Sequence, residues 1–300
     1  MSKSPSASPE FSVREFFRRF PDDDACLAHI MRVRFGGTRF ECNVCHKETT
    51  HHKLKERRTY VCSSCGHHVN PTANTILHDT RTPLVSWFYA MYLFCTTRHG
   101  VSGKELQRQL GVTYKTAYRM GQQIRDLMAK AQNFDALLAG HVELDEAYVG
   151  GRRSGGKRGR GAPGKTIVMG LAERGGNMKA VVIPDVTKDT LRDVVLKNVK
   201  PGSTVSTDEL VSYGLLTNDG YQHGVVKHAA KEYAYYDYRA KATFHVNTVE
   251  GFWRLFKASV RSTHIQISSK HMQRYLAEFT FRVSYRARVN GMFDLLVGAL

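Results

Sequence analysis

The 300-residue sequence has no apolar run long enough to span a membrane and no hydrophobic core near its start. The apolar stretch 84–95 contains a Trp-Phe-Tyr cluster and stops short of the roughly 20 residues that a membrane-spanning helix needs, so we expect a buried helix there. The opening segment, Met1 to Ser6, lacks the apolar core of a signal peptide. Export and membrane insertion are therefore not expected.

Acidic residues are scarce relative to basic ones. The chain has 27 Asp and Glu against 44 Lys and Arg, which gives a formal net charge of +17. Solubility of a small domain needs a net charge of only about 2–8 in magnitude, so the excess positive charge is expected to do more than keep the protein soluble. A basic excess of this size predicts a polyanionic partner, and nucleic acid is the default choice.

Only six cysteines are present, and four of them form two Cys-x2-Cys pairs separated by sixteen residues. Each pair lets one tight turn direct two sulfurs at the same tetrahedral ion, so the spacing predicts a structural zinc ribbon over residues 38–75. Disulfides are the competing interpretation, but nothing marks the chain as secreted. A histidine near the pairs could replace one thiolate. The predicted zinc ligands are Cys42, Cys45, Cys62 and Cys65.

The segment before the ribbon, residues 1–37, is predicted to contain a tail and two short helices. Residues 1–10 are rich in Ser and Pro and are expected to be disordered. Amphipathic helices are expected over 11–20 and from Ala25 to about residue 35. The three acids at 22–24 resemble a metal site, but the favourable interaction of acids with a helix N-terminus explains them more simply.

Residues 80–132 are predicted to form a helix-turn-helix module. Ser102 caps a first helix, Gly111 marks a turn, and Thr113 caps a second helix. In such a module the second helix enters the major groove of DNA, while a plain helical hairpin has a similar pattern. The side chains expected to face the groove are those of Tyr114, Lys115, Tyr118 and Arg119.

A loop of glycines and cations occupies 150–165, and we expect it to lie on DNA phosphates. The Gly-Lys-Thr at 164–166 has neither the preceding strand nor the glycine spacing of a nucleotide-binding P-loop, so that interpretation is rejected. The loop cations predicted to contact DNA are Arg152, Arg153, Lys157, Arg158 and Arg160.

Three separate segments each present an acid that can bind a divalent cation. Asp145 lies in a strand-like run at 142–149, and Asp208 ends a second run at 203–208. Glu250 lies on the polar face of a helix together with Asn247 and Lys257, opposite an apolar stripe at 249, 252, 253 and 256. Three such carboxylates can hold two Mg²⁺ (or Mn²⁺) ions for phosphodiester chemistry. An ordinary solvated helix face is the plainer alternative for Glu250.

The element order over 138–300 is three strands, a helix, a fourth strand and then further α/β elements, which is the ribonuclease H-like plan. In that plan the first and fourth strands are neighbours, so Asp145 and Asp208 should meet at one edge of the sheet. Lys257 is close to two helical turns from Glu250 and could contact a DNA phosphate. Glu143 should share the face of Asp145, and Glu146 should point the opposite way; neither is assigned a role. The predicted fold class is therefore α/β, with a zinc ribbon and a helix-turn-helix before the catalytic domain.

With these motifs the chain resembles the DDE transposases of bacterial insertion sequences that carry an N-terminal zinc ribbon, whose eukaryotic relatives are the Merlin-type transposases. The resemblance covers nearly the whole chain from Phe11 onward. It is carried by the cysteine pairs and by the stretches 104–117, 142–151 and 245–253. One departure is visible at 281–286, where Phe-Arg-Val-Ser-Tyr-Arg stands in place of Phe-Arg-Tyr-Asn-x-Arg.

The resemblance implies Mg²⁺-dependent cleavage and strand transfer at transposon ends by two-metal phosphoryl transfer, with Asp145 and Asp208 as metal ligands. The third ligand of the family maps to Asn247 or Glu250, followed by Lys257; Glu250 is favoured because an amide is a weak substitute for a carboxylate on Mg²⁺.

The expected partners are the inverted repeats at the element's ends and target DNA, bound by a homodimer or larger assembly in the cytoplasm, at the bacterial nucleoid. The alternative function is a DNA-binding regulator, or a domesticated inactive transposase, that uses only the ribbon and the helix-turn-helix.

Overall fold

The computed structural model describes residues 11–132, 135–150, 165–286 and 289–300. The chain forms two compact units, the first made of residues up to Ala131 together with Tyr285–Leu300 and the second of Gln132–Ser284. Among the described helices, none combines the length and the hydropathy that crossing a membrane requires. The predicted tail at 1–10 lies outside the described residues.

The first unit begins with two short helices, α1 (Val13–Arg19) and α2 (Asp23–Phe35). The three acids at 22–24 lie at the N-terminus of α2, as the sequence predicted. Asp22 is the N-cap, and its carboxylate accepts a hydrogen bond from Ala25 N at 2.8 Å. The helix ends at Gly36, whose φ of 75° is the left-handed conformation of a C-terminal cap.

A small antiparallel sheet follows, in the order β1-β2-β3-β4. Its strands are β1 (Arg39–Glu41), β2 (Glu48–Lys53), β3 (Tyr60–Cys62) and β4 (His68–Val69). One cysteine pair lies in the turn after β1, and the other is shared between the end of β3 and the turn before β4. The two turns that the spacing predicted thus lie at the ends of two hairpins.

Three helices complete this part of the first unit: α3 (Leu84–Thr96), α4 (Gly103–Leu110) and α5 (Tyr114–Ala131). The predicted caps are confirmed, since Ser102 Oγ accepts from Glu105 N at 3.1 Å and Thr113 Oγ1 accepts from Thr116 N at 3.2 Å. Leu106 of α4 and Ala117 of α5 are fully buried. The assignment of this helix pair as a DNA-binding helix-turn-helix stays a prediction.

The second unit is built on a five-stranded sheet in the order β7-β6-β5-β8-β9. The strands are β5 (His141–Val149), β6 (Thr166–Glu173), β7 (Met178–Ile183), β8 (Thr204–Thr207) and β9 (Gln222–Val225). Strands β5, β6 and β7 form an antiparallel meander, and β8 runs parallel to both β5 and β9. The predicted pairing of the first and fourth strands is confirmed, with His141 opposite Thr204 and Glu143 opposite Ser206.

Helices cover both faces of this sheet. Helix α6 (Lys188–Asn198) buries Leu191 and Val195 on one face. Helices α7 (Asn247–Ser262) and α8 (Met272–Tyr285) pack on the other. Gly170 of β6 makes the approach of α7 possible, because a Cβ at this position would lie 2.7 Å from the Trp253 ring and 2.8 Å from a Val249 methyl.

Two segments differ from the sequence-based expectation. The aromatic stretch before α7, for which the sequence patterns indicated no strand, contains a hairpin of β10 (Tyr235–Asp237) and β11 (Ala242–Phe244). The last helix, α9 (Val289–Gly298), belongs to the first unit although the predicted catalytic segment extended to residue 300. It does so because Phe293 packs in an aromatic cluster, with ring centroids 5.3 Å from Phe11 and 5.5 Å from Phe20.

Candidate active site

Two neighbouring strands of the second unit deliver Asp145 and Asp208. The alternate residues Val142 and Leu144 of β5 are fully buried, while Asp145 is only partly buried. Asp208 directly follows β8 and accepts a hydrogen bond from Leu210 N at 3.0 Å, which turns the chain at this point. In the parallel register of β5 and β8, Glu143 lies opposite Ser206. Asp145, in the middle of β5, and Asp208, just after β8, each follow that pair by two residues and are therefore level with one another.

Helix α7 delivers the third carboxylate. Its predicted apolar stripe is confirmed, since the side chains at 249, 252, 253 and 256 are all buried against the sheet and α8. The side chain of Glu250 on the other face is 46% exposed. The packing of its apolar face therefore holds the helix, and with it Glu250, in place. The apolar residues recur with the 3.6-residue period of a helix, so they share this one face.

One cavity of about 380 Å³ brings the predicted catalytic residues together. It includes Asp145, Asp208, Glu250 and Lys257, which are separated by up to 112 positions in the chain. Asn247, the other candidate for third ligand, is exposed as the first residue of α7 and is not in the cavity wall. The remaining lining residues are Glu146, Ala147, Tyr148, Lys165 and His228.

The carboxylates of the cavity repel one another. Burial, together with the negative charges of Asp208 and Glu250, raises the pKa of Asp145 to about 7 against the opposing charge of Lys257. Burial lowers the pKa of Lys257, while Asp145 opposes that shift. His228 Nδ1 lies 3.6 Å from Glu250 Oε1. The cavity thus concentrates negative charge where solvent screens it poorly.

The composition of this cavity fits a divalent cation. Carboxylate oxygens are the ligands that Mg²⁺ and Mn²⁺ prefer, and a cation relieves the repulsion that raises the pKa of Asp145. The three acids are spaced more widely than a closed metal cage, since the cysteine quartet is the only metal-binding cluster among the described residues. Mg²⁺ needs no such cage, because it is usually held by one or two carboxylates together with substrate phosphates and water.

Glu143 connects the strand of Asp145 to the helix of Glu250. It is fully buried, and its carboxylate accepts hydrogen bonds from Thr248 N at 2.7 Å, Thr248 Oγ1 at 2.9 Å and Val249 N at 3.2 Å. Val246, the N-cap of α7, provides no side-chain cap, so Glu143 satisfies these helix amides from another element. The alternation of β5 placed Glu143 on the face of Asp145, but its contacts depend on the tertiary fold.

Arg174 balances the buried charge of Glu143. Its Nε donates to Glu143 Oε1 at 2.8 Å, and its Nη2 donates to His245 O at 3.0 Å. His245 Nδ1 lies 3.0 Å from Glu143 Oε1 without hydrogen-bond geometry. Arg174 also donates a hydrogen bond to a second backbone oxygen of this segment, that of Thr243. The turn after β6 thereby fixes the chain that leads into α7.

Two other residues of the cavity wall were not identified from the sequence. His228 follows a strand end and carries no motif, and Lys165 lies at the edge of the glycine-rich loop. Glu146 was expected to point away from Asp145, yet it lines the same cavity, and the Tyr213 hydroxyl donates to its carboxylate. Strand alternation alone does not account for this, because Asp145 and Glu146 are consecutive residues in the middle of β5 and both line the cavity.

The four predicted zinc ligands form a second candidate site, in the first unit. The Sγ atoms of Cys42, Cys45, Cys62 and Cys65 all lie within 4.8 Å of one another. The Cys42–Cys65 sulfur pair is 3.7 Å apart and the Cys45–Cys62 pair is 3.9 Å apart, far beyond a disulfide bond of about 2.05 Å. Hydrogen bonds from the Cys45 and Val44 amides lower the pKa of Cys42 to about 6, which favours the thiolate that zinc binds. This arrangement supports structural zinc.

The residues predicted to contact DNA divide into two groups. Tyr114, Lys115, Tyr118 and Arg119 are all exposed on α5. The loop cations Arg152, Arg153, Lys157, Arg158 and Arg160 lie outside the described residues.

Comparisons with known proteins agree with the two sites. Residues 137–284 match the family model of the ISXO2-like transposase domain, and residues 21–68 match that of the transposase zinc-ribbon domain. The chain is 26% identical over 123 residues to an uncharacterised transposase-like protein of Haemophilus influenzae, an alignment that covers 40% of this chain and 94% of that protein.

A solved structure, the pre-cleavage Mos1 transpososome, aligns with 68% of this chain and 78% of its own at 11% identity, but its TM-score of 0.20 is too low to support a conclusion. The two family matches together cover well over half of the chain. The protein belongs to the ISXO2-like transposases that carry a zinc ribbon.

Proposed function

We propose that this protein cleaves DNA and transfers strands at the ends of an insertion sequence, with Asp145, Asp208 and Glu250 as the catalytic carboxylates. The observation that carries the proposal is their meeting with Lys257 in one cavity. The sheet order and the parallel pairing of β5 with β8 match the ribonuclease H-like plan that the sequence predicted. Membership of a transposase family supports the same reaction class.

The three carboxylates are the residues that would hold Mg²⁺ or Mn²⁺. When bound, these ions supply Lewis-acid activation of the attacking hydroxyl and neutralise charge on the leaving oxygen. Asp145, in the middle of β5, and Asp208, directly after β8, are fixed by the sheet, whereas the partly exposed Glu250 is positioned by the packing of α7. The carboxylates thereby define where the scissile phosphate lies, and no covalent protein intermediate is required.

Lys257 is the cation of the cavity best placed to contact a non-bridging phosphate oxygen. It shares the wall with Glu250 two helical turns away and remains electrostatically coupled to Asp145. His228 approaches Glu250 from the opposite segment and would restrict the conformations of that carboxylate. Together these groups orient the acid on α7 toward the DNA strand.

The first unit is proposed to bring DNA to this cavity. The exposed set Tyr114, Lys115, Tyr118 and Arg119 on α5 would contact the terminal repeats, supported by the zinc ribbon and the net charge of +17. A homodimer on paired ends, active at the bacterial nucleoid, completes the proposal.

A strand-transfer assay with the DNA that flanks the reading frame tests this function. Wild-type protein with Mg²⁺ is expected to release and join the ends, and Asp145→Ala, Asp208→Ala and Glu250→Gln are each expected to lose activity by at least about 10³-fold, within the range that metal-assisted electrostatic stabilisation accounts for. Asn247→Ala, on the same helix but outside the cavity wall, is the matched control and should retain most activity.

Two results would overturn the proposal. One is an inactive wild-type protein that still binds the ends, which is the behaviour of a DNA-binding regulator. The other is activity that survives Asp208→Ala. Loss of activity in Asn247→Ala but not in Glu250→Gln would transfer the third ligand to the amide.

A further inference from the structure

The chain segment 227–245 starts at the proposed catalytic cavity and ends just before α7, the helix that carries Glu250. At its start, His228 lines the cavity and approaches Glu250. At its end, the backbone oxygen of His245 accepts a hydrogen bond from Arg174, just before α7 begins at Asn247. Between these two points the segment forms the β10–β11 hairpin, called here the tyrosine hairpin. The hairpin is therefore joined at one end to a residue of the cavity wall and at the other end to the helix of Glu250.

One face of the tyrosine hairpin is firmly attached to the second unit. Phe244 is buried, and its ring lies 5.5 Å from that of His141 on β5. Within the hairpin the Phe244 ring stacks on Tyr235, with centroids 5.3 Å apart and planes 24° apart. In the turn, Asp237 Oδ1 accepts hydrogen bonds from Arg239 N at 2.7 Å and Ala240 N at 2.9 Å. The hairpin is therefore a fixed platform whose other face is presented to solvent.

That outward face carries aromatic rings without burying them. Tyr236 is 50% exposed and Tyr238 is 85% exposed, and their rings meet edge to face at 5.0 Å. Nearby, Tyr233 is 63% exposed and its ring lies 5.8 Å from that of His228. Single exposed aromatics are common, but three on one short segment form a patch of the kind that binds a partner.

The charges on this segment favour a polyanion as that partner. Its acids are occupied locally, since Asp237 holds the turn and Glu232 Oε1 accepts a hydrogen bond from Lys227 N at 3.5 Å. Its four basic side chains are exposed: Lys227, Lys231, Arg239 and Lys241. Aromatic rings interspersed with cations are the combination by which proteins bind single-stranded nucleic acid, through base stacking and phosphate contacts.

We propose that Tyr236 and Tyr238 stack on unpaired bases of the DNA strand next to the scissile phosphate. Bases within a duplex already stack on one another, so only an unpaired or extruded base offers its face to these rings. The hairpin extends about three strand residues from its attached end, roughly 10 Å, which is the scale of a few nucleotides. The proposal rests on the proposed function for the position of the DNA, whereas the stacking itself can be measured without cleavage.

The test uses the full-length protein and a short oligothymidylate that carries one central 2-aminopurine, whose fluorescence falls when it stacks on an aromatic ring. Wild-type protein is expected to quench the probe. The double variant Tyr236→Ala/Tyr238→Ala should lose most of the quenching and bind the single strand at least about fivefold more weakly, from the 1–3 kcal/mol that one stacked base contributes. Tyr236→Phe/Tyr238→Phe keeps the rings and should behave like wild type.

The matched control is Thr243→Ala, an exposed side chain directly opposite Tyr236 on the same hairpin. It should quench normally, and all variants should bind a fully paired duplex like wild type. The proposal is overturned if wild-type protein does not quench the probe, or if the alanine variant quenches as strongly as wild type, as it would if the hairpin bound a protein. It is also overturned if the phenylalanine variant loses quenching. None of these readouts requires strand transfer.

Discussion

Replacing Glu143 by glutamine should destabilise the second unit and misplace the catalytic helix. The substitution keeps the shape of the side chain but removes the charge that faces Arg174 and the helix amides of Thr248 and Val249. The glutamine NH₂ group would also face N–H and O–H donors at a position where the carboxylate oxygen accepted hydrogen bonds. A cation that is only 21% exposed would then lack its partner.

The expected loss in the free energy of unfolding is about 3–5 kcal/mol, the usual effect of removing one member of a buried ion pair. A charge-assisted hydrogen bond contributes about 1.5–3 kcal/mol, so the contacts of this carboxylate are sufficient to account for such a loss. Strand transfer should fall as well, because α7 positions Glu250 through its N-terminal turn.

The chain offers a direct way to follow the second unit alone. It has two tryptophans, of which Trp87 lies in the first unit and Trp253 in the second. In a Trp87→Phe background, urea unfolding monitored by fluorescence reports the packing of Trp253 against the sheet. The midpoint should fall for Glu143→Gln. It should recover in part for Glu143→Gln/Arg174→Met, where both charges are absent.

Glu209→Gln is the control for this series. Glu209 is an exposed carboxylate of the same unit that accepts one backbone hydrogen bond, from Ala229 N at 3.2 Å. Its replacement should change the free energy of unfolding by about 0.5 kcal/mol or less. A Glu143→Gln protein that unfolds at the same urea concentration as this control would refute the role of Glu143 in holding α7.

Three further predictions concern zinc, pH and the divalent cation. Cys62→Ala should weaken binding to element ends, while the Trp253 fluorescence and the unfolding midpoint of the second unit stay unchanged. If the variant lost both DNA binding and the folded second unit, the ribbon would not be independent of that unit. Burial lowers the pKa of His29 from 6.5 to about 4, so the unfolded chain binds the extra proton first and the first unit loses up to about 3 kcal/mol as pH falls from 6.5 to 4. In a Trp253→Phe background, unfolding of the first unit can be followed by Trp87 fluorescence. His29→Leu should reduce the loss of stability between pH 6.5 and 4, and an unchanged loss would contradict the role of His29. Because the pKa of Asp145 is raised from 3.8 to about 7, the fold loses stability as pH rises from 3.8 to about 7 and has lost all of this contribution above it. Asp145→Asn should therefore raise the melting temperature at pH 8 without Mg²⁺ and abolish any further rise on adding Mg²⁺; a lower melting temperature would contradict this.

Several features of the site followed from local sequence patterns. The element order predicted that β5 and β8 are neighbours, and this pairing brings Asp145 and Asp208 together in one cavity. The helical period predicted the buried stripe of α7 and thus the polar face that carries Glu250. These inferences succeed because strand and helix periods fix which side chains share a face.

Other features depended on long-range packing and could not be predicted in this way. The hydrogen bonds of Glu143 join residues 105 positions apart, and no local pattern specifies them. The strands of the tyrosine hairpin have three residues each, too short for an alternating pattern to be visible. The position of α9 follows from an aromatic cluster around Phe293 that includes Phe11 and Phe20, which lie at the other end of the chain.

The central claim is that Asp145, Asp208 and Glu250 share one divalent-cation site. Anomalous scattering from Mn²⁺ in crystals of the protein bound to DNA measures this directly. We expect manganese in the cavity with oxygens of all three carboxylates at coordinating distances, roughly 2.1–2.2 Å for a cation of this size. Manganese bound with any one of the three side chains outside coordinating distance, or manganese absent from this cavity, would contradict it.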